Sequence, residues 1–145
     1  MVNSRRKGIV YELNTRNWLR RWWPKCERSF GQSRRGSDAP DVSGTPYWIE
    51  CKHYSRKITE GMIIKWLEKA KTETKEPIIV RYKQDYKENK YAMWRSDLIN
   101  LEREACYDER PNIRNWLGYA SEIPEQYMSD LLDFAYGVSD DYKMR

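Results

Sequence analysis

The chain has 145 residues, the size of one ordinary domain, and its 34% charged and 14% aromatic residues exclude a disordered protein. No apolar run is long enough to span a membrane. The three cysteines, Cys26, Cys51 and Cys106, fit neither a zinc site nor a disulfide framework, so a reducing cytoplasm is the simplest compartment. The net charge of +5 favours a polyanionic partner such as nucleic acid, and the alternative is a soluble protein that happens to be basic.

The first predicted element is a helix over residues 5–23. Apolar side chains recur there at helical spacing, and Pro24 is expected to end the helix. Glu12 lies at the edge of this apolar stripe. Its carboxylate can therefore lean over the elements on which the helix packs.

A hairpin is predicted after a short strand at 26–30. Residues 40–43 and 47–52 are expected to pair around a turn that contains Gly44 and Pro46. Since glycine and proline interrupt strands, the turn fixes which residues of the two strands face each other.

Within this hairpin, Glu50 and Lys52 share one face with Trp48, because successive side chains of a strand alternate. Asp41, on the preceding strand, can reach the same face. Cys51 points to the other face and is expected to be a small core residue. The alternative is that Glu50 and Lys52 are only an exposed charge pair.

The remaining elements alternate between helix and strand, which suggests an α/β fold with a mixed central sheet. Residues 104–120 have no clear pattern. The predicted elements are a helix at 60–73 capped by Thr59, strands at 78–80 and 91–95, a short helix begun by Ser96 or Asp97 and ended at Leu101, and a last helix from Pro124 to Tyr136.

Three carboxylates and one lysine carry the clearest chemistry. Glu12, Asp41 and Glu50 supply the oxygen ligands that Mg²⁺ prefers, and Lys52 can orient a water or neutralise charge on a phosphate. Residues 1–52 hold eleven Lys/Arg against five Asp/Glu. The carboxylates therefore lie in the basic part of the chain, as an enzyme that acts on a phosphate backbone requires.

These residues resemble the PD-(D/E)xK nuclease superfamily, in particular the archaeal-type Holliday junction resolvases and their phage-encoded relatives. The resemblance covers about residues 5–102. The matching stretches are Arg6-Lys7-Gly8 with Glu12, Gly36-Ser37-Asp38-Ala39-Pro40-Asp41-Val42, and Ile49-Glu50-Cys51-Lys52. The family often has an arginine where this chain has Leu13, and many relatives have a glutamine on the helix that here carries Lys65 and Lys69.

The resemblance implies a restriction-endonuclease-like core at residues 1–102, with a mixed sheet flanked by helices. Residues 103–145 are then a C-terminal helical appendage on the same domain. It also implies Glu12, Asp41 and Glu50 as ligands of Mg²⁺, for which Mn²⁺ can substitute, and Lys52 as the catalytic lysine. The DNA contacts that it implies are Arg6, Lys7, Arg34, Arg35 and Ser37.

The implied function is a homodimeric, Mg²⁺-dependent endonuclease that cuts four-way DNA junctions in recombination and repair. Its compartment would be the cytoplasm of a prokaryotic or phage-infected cell. The alternatives are another nuclease of the superfamily, acting on flaps, ends or a specific sequence, and a basic DNA-binding module without catalysis. His53, the single histidine, is expected to be structural. The seven tryptophans are expected in the core or a dimer contact, with Trp48 as the best exception for base stacking.

Overall fold

The computed structural model describes residues 4–29, 39–106 and 115–143. They form one mixed sheet of seven strands in the order β1-β2-β3-β4-β5-β7-β6, in which only β3 and β4 are parallel neighbours. In chain order the elements are α1 (Ser4–Leu19), β1 (Glu27–Arg28), β2 (Val42–Ser43), β3 (Trp48–Tyr54), α2 (Glu60–Lys71), β4 (Ile78–Gln84), β5 (Lys90–Trp94), α3 (Arg95–Glu104), β6 (Asn115–Leu117), β7 (Ala120–Pro124), α4 (Glu125–Tyr136) and α5 (Asp140–Lys143). The predicted α/β class with a mixed sheet is confirmed.

The sheet separates two layers of core. Successive side chains of β3 point to opposite faces of the sheet. Ile49 therefore lies in the hydrophobic cluster that includes residues of α1, α3 and α4, while Trp48 packs against α2. The α2 side is the smaller layer and includes Ile63 and Leu67. Each face of β3 is therefore covered by a different set of helices.

Strand β3 is unequally paired along its two edges. All seven of its residues pair with β4, from Trp48 with Ile78 to Tyr54 with Gln84. On its other edge, Val42 of β2 pairs with Ile49. The two strands diverge beyond this pair, so an opening forms beside the C-terminal half of β3.

A buried arginine fixes α1 on the sheet. Arg81 of β4 is 3% exposed and donates to Thr15 Oγ1 and Asn14 Oδ1 on α1, both at 2.8 Å. It also donates to Tyr91 Oη at 2.9 Å. Because a buried guanidinium needs these acceptors, the contacts set where α1 lies and hence where Glu12 can reach.

Several predicted boundaries are corrected. Helix α1 ends at Leu19 rather than residue 23, because the amides of Arg21 and Trp22 bond the carbonyls three residues before them, at 3.3 and 3.1 Å, instead of continuing the four-residue spacing of an α-helix. Thr59 caps α2 as predicted. The prediction that Ser96 or Asp97 caps α3 is wrong, because the N-cap is Trp94 and the helix begins at Arg95. Helix α3 runs on to Glu104, so the boundary proposed at residue 102 falls inside it.

The prediction that residues 103–145 are helical is wrong for part of that range. Residues 115–117 and 120–124 form β6 and β7, and β7 lies inside the sheet between β5 and β6. Met128 and Leu131 of α4 are fully buried in the same core as Leu19 of α1. This segment therefore completes the domain.

Gly44 fits the predicted turn between β2 and β3. Its φ is +95°, and a Cβ at this position would lie 2.9 Å from Cys26 Cα. Only glycine allows both the positive φ and this close approach. Within the described ranges, no helix has the length and apolar character needed to cross a membrane.

Candidate catalytic site

Asp41 occupies the point where β2 and β3 diverge. Its amide donates to the Ile49 carbonyl at 2.8 Å, and the antiparallel register sets it beside Glu50. Its Oδ2 accepts the Cys51 amide at 2.7 Å. The Asp41 carboxylate thus takes the place of a neighbouring strand's carbonyl as the acceptor for this β3 amide. Asp41 is only 8% exposed, so the carboxylate is held in one position.

Glu50 lies on the same face of β3 as Trp48, as predicted, and helix α2 covers this face. Its Oε1 accepts from Trp48 Nε1 at 2.7 Å. Burial, the charge of Asp41 and a hydrogen bond to Asp41 raise the pKa of Glu50 to about 7, while Trp48 and Lys52 oppose the rise. These two carboxyl groups repel each other when both are negatively charged, so a cation bound between them is favoured.

Lys52 shares the face of Glu50, and its Nζ lies 5.9 Å from the ring centroid of Trp66 on α2. Its positive charge lowers the pKa values of both Glu50 and Glu12. Among the described residues, no carboxylate lies within the 4.0 Å ion-pair distance of this amine. The lysine is therefore near the carboxylates without being neutralised by one of them.

Glu12 approaches from α1, on the opposite face of the sheet. Its Oε1 accepts from Arg28 Nε of β1 at 2.6 Å. Burial and the charge of Asp41 raise its pKa, while Arg28 and Lys52 lower it. Asp41 and Lys52 thus each act electrostatically on both glutamates, with opposite signs.

The carboxylates are not arranged as a three-ligand metal site. In the parts of the chain that the structure describes, no group of three or more His, Cys, Asp or Glu side chains is placed to hold an ion. Glu12 is turned toward Arg28 and Glu50 toward Trp48. The donor atoms still suit Mg²⁺, since they are carboxylate oxygens, the ligands that this cation prefers.

A cleft of about 320 Å³ lies beside the open edge of β3, between that strand and the start of α1. Its lining is rich in cations and hydroxyl groups, which suits phosphate oxygens. The lining residues are Ser4, Lys7, Gly8, Cys51, Lys52, His53, Tyr54, Ser55 and Arg56.

The predicted DNA contacts have different outcomes. Lys7 lines the cleft, but its Nζ lies 2.7 Å from Asp85 Oδ1. Arg6 is exposed on α1. The remaining predicted contacts, Arg34, Arg35 and Ser37, fall outside the described residues and stay predictions.

Trp48 and His53, which lie near the site, both contact a neighbouring carboxylate. Trp48 is 5% exposed, so the exception made for it as a base-stacking residue is wrong; it orients Glu50 instead. His53 Nε2 lies 2.8 Å from Asp85 Oδ1, in a contact that is close but not aligned as a hydrogen bond. Burial and the charge of Lys7 lower the pKa of His53.

Sequence reasoning missed Arg28 and Asp85, the partners of Glu12 and Lys7. Arg28 lies on a two-residue strand, and Asp85 lies in the turn between β4 and β5. No spacing rule links either residue to its partner. Arg56, which extends the cleft, could have been noted as a cation four residues after Lys52.

No protein-family model matches this chain, and no curated protein or solved structure matches it either.

The raised pKa of Glu50 predicts how stability changes with pH in the absence of metal. Folding raises this pKa from 4.5 to about 7, so between these values the folded protein binds a proton that the unfolded chain releases. The free energy of unfolding should therefore fall as the pH rises through this window, by at most about 3 kcal/mol from this group. Urea unfolding of the wild type and Glu50→Gln in EDTA, from pH 4 to 8, measures the effect as the difference between the two proteins. A difference that does not change with pH would contradict it.

Proposed function

We propose that this protein is a Mg²⁺-dependent endonuclease of the PD-(D/E)xK type that hydrolyses phosphodiester bonds of branched DNA, with the four-way junction as substrate. The observation that carries the proposal is the group formed by Asp41, Glu50 and Lys52 where β2 and β3 diverge. A mixed sheet with helices on both faces agrees with the restriction-endonuclease-like core that the resemblance implies.

In this proposal Asp41 and Glu50 would hold the cation, and Glu12 would become available to it if Arg28 released its carboxylate. A bound Mg²⁺ would polarise the scissile phosphate and lower the pKa of a coordinated water. Glu50 must then be ionised, because a protonated carboxyl is a poor ligand. Asp41 keeps its position through the Cys51 amide during binding.

Lys52 would orient the attacking water or stabilise the negative charge that grows on the phosphate oxygens. Its amine is near both glutamates and has no carboxylate partner within the described residues, so its charge is available to the substrate. The cleft beside β3 would hold the DNA backbone next to this amine. Lys7 and Arg56 would contact the flanking phosphates.

One observation favours a second candidate, a basic DNA-binding module without catalysis. Glu12 is neutralised by Arg28, as an inactive site that has replaced its metal by an arginine would be. The two candidates differ in whether Arg28 gives way to a cation. The same arginine is compatible with catalysis if it moves to a phosphate when DNA arrives.

A cleavage assay tests the proposal and separates it from the alternatives. End-labelled four-way junction, flap and linear duplex of one sequence are incubated with the protein in Mg²⁺, in Ca²⁺ and in EDTA. We expect paired cuts in the junction with Mg²⁺, and binding without cuts in Ca²⁺. Cuts in the flap or duplex alone would identify another nuclease of the superfamily, and binding without cuts in any metal would favour the non-catalytic module.

We also predict a homodimer. A junction is two-fold symmetric and must be cut in two strands, so two copies of the one site are needed. Among the tryptophans with described side chains, none is exposed. Val10 and Phe134 are exposed apolar side chains that a partner could cover. Sedimentation at micromolar concentration without DNA should give twice the 17.6 kDa chain mass. A monomer that stays monomeric on junction DNA would point to single-strand nicking.

A further inference from the structure

The turn between β4 and β5 presents a fully exposed tyrosine, Tyr86. Two backbone hydrogen bonds define the turn: the Asp85 amide donates to the Tyr54 carbonyl, and the Lys87 amide donates to the Gln84 carbonyl, both at 2.9 Å. Because β3 and β4 run parallel and end together at Tyr54 and Gln84, this turn lies at the same end of the sheet as the cleft.

Asp85 connects the turn to α1 and β3. Its Oδ1 lies 2.7 Å from Lys7 Nζ on α1 and 2.8 Å from His53 Nε2 on β3. The hydrogen bond from Lys7 holds the pKa of Asp85 below its usual value, so the carboxylate is charged at neutral pH. One turn residue therefore binds the two elements that line the cleft, and the next directs its ring into solvent.

The backbone at Tyr86 is in the left-handed region, with a φ of 65°. Glycine or asparagine fits this region better than a bulky residue does. The turn between β6 and β7 is a useful contrast: Gly118 takes the positive φ there, and the exposed Tyr119 beside it does not. The choice of tyrosine at position 86 therefore has no explanation in the stability of the turn.

The surroundings of Tyr86 are cationic. Lys83, Lys87 and Lys90 lie on the same hairpin, and Lys52 and Arg56 lie in the cleft, against the carboxylates of Asp85 and Glu88. In the β3–β4 register Lys52 pairs with Tyr82, four residues before Tyr86. At about 3.3 Å a residue, the backbone of Tyr86 lies no more than roughly 13 Å along the strand direction from the level of Lys52, which is about four nucleotide steps.

We propose that Tyr86 stacks on an unpaired or unstacked DNA base beside the bond that the site cleaves, and so selects branched over continuous duplex DNA. The inference rests on the proposed nuclease function. An exposed, rigidly carried aromatic ring next to a cationic cleft fits single-stranded nucleic acid, because every base has a face on which a ring can stack. Continuous duplex offers no such face, since its bases are stacked on each other.

The experiment compares Tyr86→Gly and Tyr86→Phe with Tyr119→Gly, which removes another exposed ring at the opposite end of the sheet. Dissociation constants are measured in Ca²⁺ at one salt concentration for a four-way junction and a linear duplex. The junction carries 2-aminopurine at the branch point. We expect Tyr86→Gly to bind the junction about 5- to 100-fold more weakly, with an unchanged salt slope and no loss on duplex. The 2-aminopurine quenching of the wild type should be lost.

Tyr86→Phe and Tyr119→Gly should bind as the wild type does. Tyr86→Gly should keep or raise the Tm, since glycine suits the positive φ, so weaker binding cannot come from unfolding. Junction affinity of Tyr86→Gly equal to that of the wild type would overturn the inference and leave the nuclease proposal in place, as would equal losses on junction and duplex. A wild type that binds neither DNA would overturn both.

Discussion

Asp41→Asn should abolish Mg²⁺-dependent cleavage while junction binding is kept or becomes tighter. Asparagine preserves the size of the side chain, and its oxygen can still accept the Cys51 amide, so the strand edge should remain intact. The lost charge is the one that acts on both Glu12 and Glu50. We expect a fall in turnover greater than the roughly 10- to 100-fold that follows loss of an outer-shell partner of a metal ligand.

The same variant has a second readout that does not depend on activity. Because the charge of Asp41 is the second-largest cause that raises the pKa of Glu50, its removal should bring that pKa down toward the ordinary range. NMR titration of the glutamate side chains in EDTA measures this. Asp141→Asn, at an exposed position of α5, is the matched control. Substantial cleavage by Asp41→Asn, with cleavage by the control unchanged, would reject the site.

Lys52→Ala should lower turnover about 10²- to 10³-fold with little change in the dissociation constant, because the amine would act on charge that develops only in the transition state. Lys65→Ala, an exposed lysine on α2, is the matched control. Single-turnover cleavage and binding in Ca²⁺ separate the two effects. If the dissociation constant changes more than the rate, Lys52 is an ordinary phosphate contact.

A further consequence of Lys52→Ala concerns the pH profile. Lys52 lowers the pKa of Glu50, so its removal should raise that pKa above about 7. The pH at which the residual activity rises should then shift to higher values. A lysine that only contacts phosphate away from the carboxylates would leave the midpoint of the profile unchanged, which makes the two roles distinguishable.

The hairpin that carries Asp41 and Glu50 could be predicted because its information is local. Gly44 supplies a turn that other residues would strain, and the two-residue period of a strand decides the face of Glu50 and Lys52. Thr59 as the cap of α2 follows from the same kind of short-range rule. These features depend on residues within a few positions of each other.

The surroundings of Glu12 could not be predicted, because they depend on distant contacts. Arg28 is 16 residues away, and Arg81, which sets the position of α1 through Thr15, is 66 residues from that threonine. A lone arginine in a strand pattern is normally read as exposed, and only the surrounding hydroxyl and amide oxygens make its burial favourable. The sequence predicted that Glu12 would be near the sheet but not that an arginine would hold it.

Strands β6 and β7 were missed although a signal was present. Gly118 with Tyr119 is a two-residue turn between short strands, of the kind that joins antiparallel neighbours. The strand that follows is buried on both sides at Ala120 and Ser121, so the alternation that identifies a half-buried strand is absent there.

Contacts between the segment that follows α1 and helix α4 connect the start of the domain with its end. Arg21 donates to both carboxylate oxygens of Asp133, at 2.9 and 2.8 Å, and Trp22 Nε1 donates to Asp133 Oδ1 at 2.8 Å, across 111 and 112 positions. During synthesis the ribosome makes α1 early and α4 late. The side-chain donors of the segment after α1 therefore lack this acceptor until Asp133 has left the exit tunnel. The contacts of Arg21 and Trp22 with Asp133 therefore form late in synthesis, whereas the contacts of α1 with Arg81 can form as soon as β4 has left the tunnel.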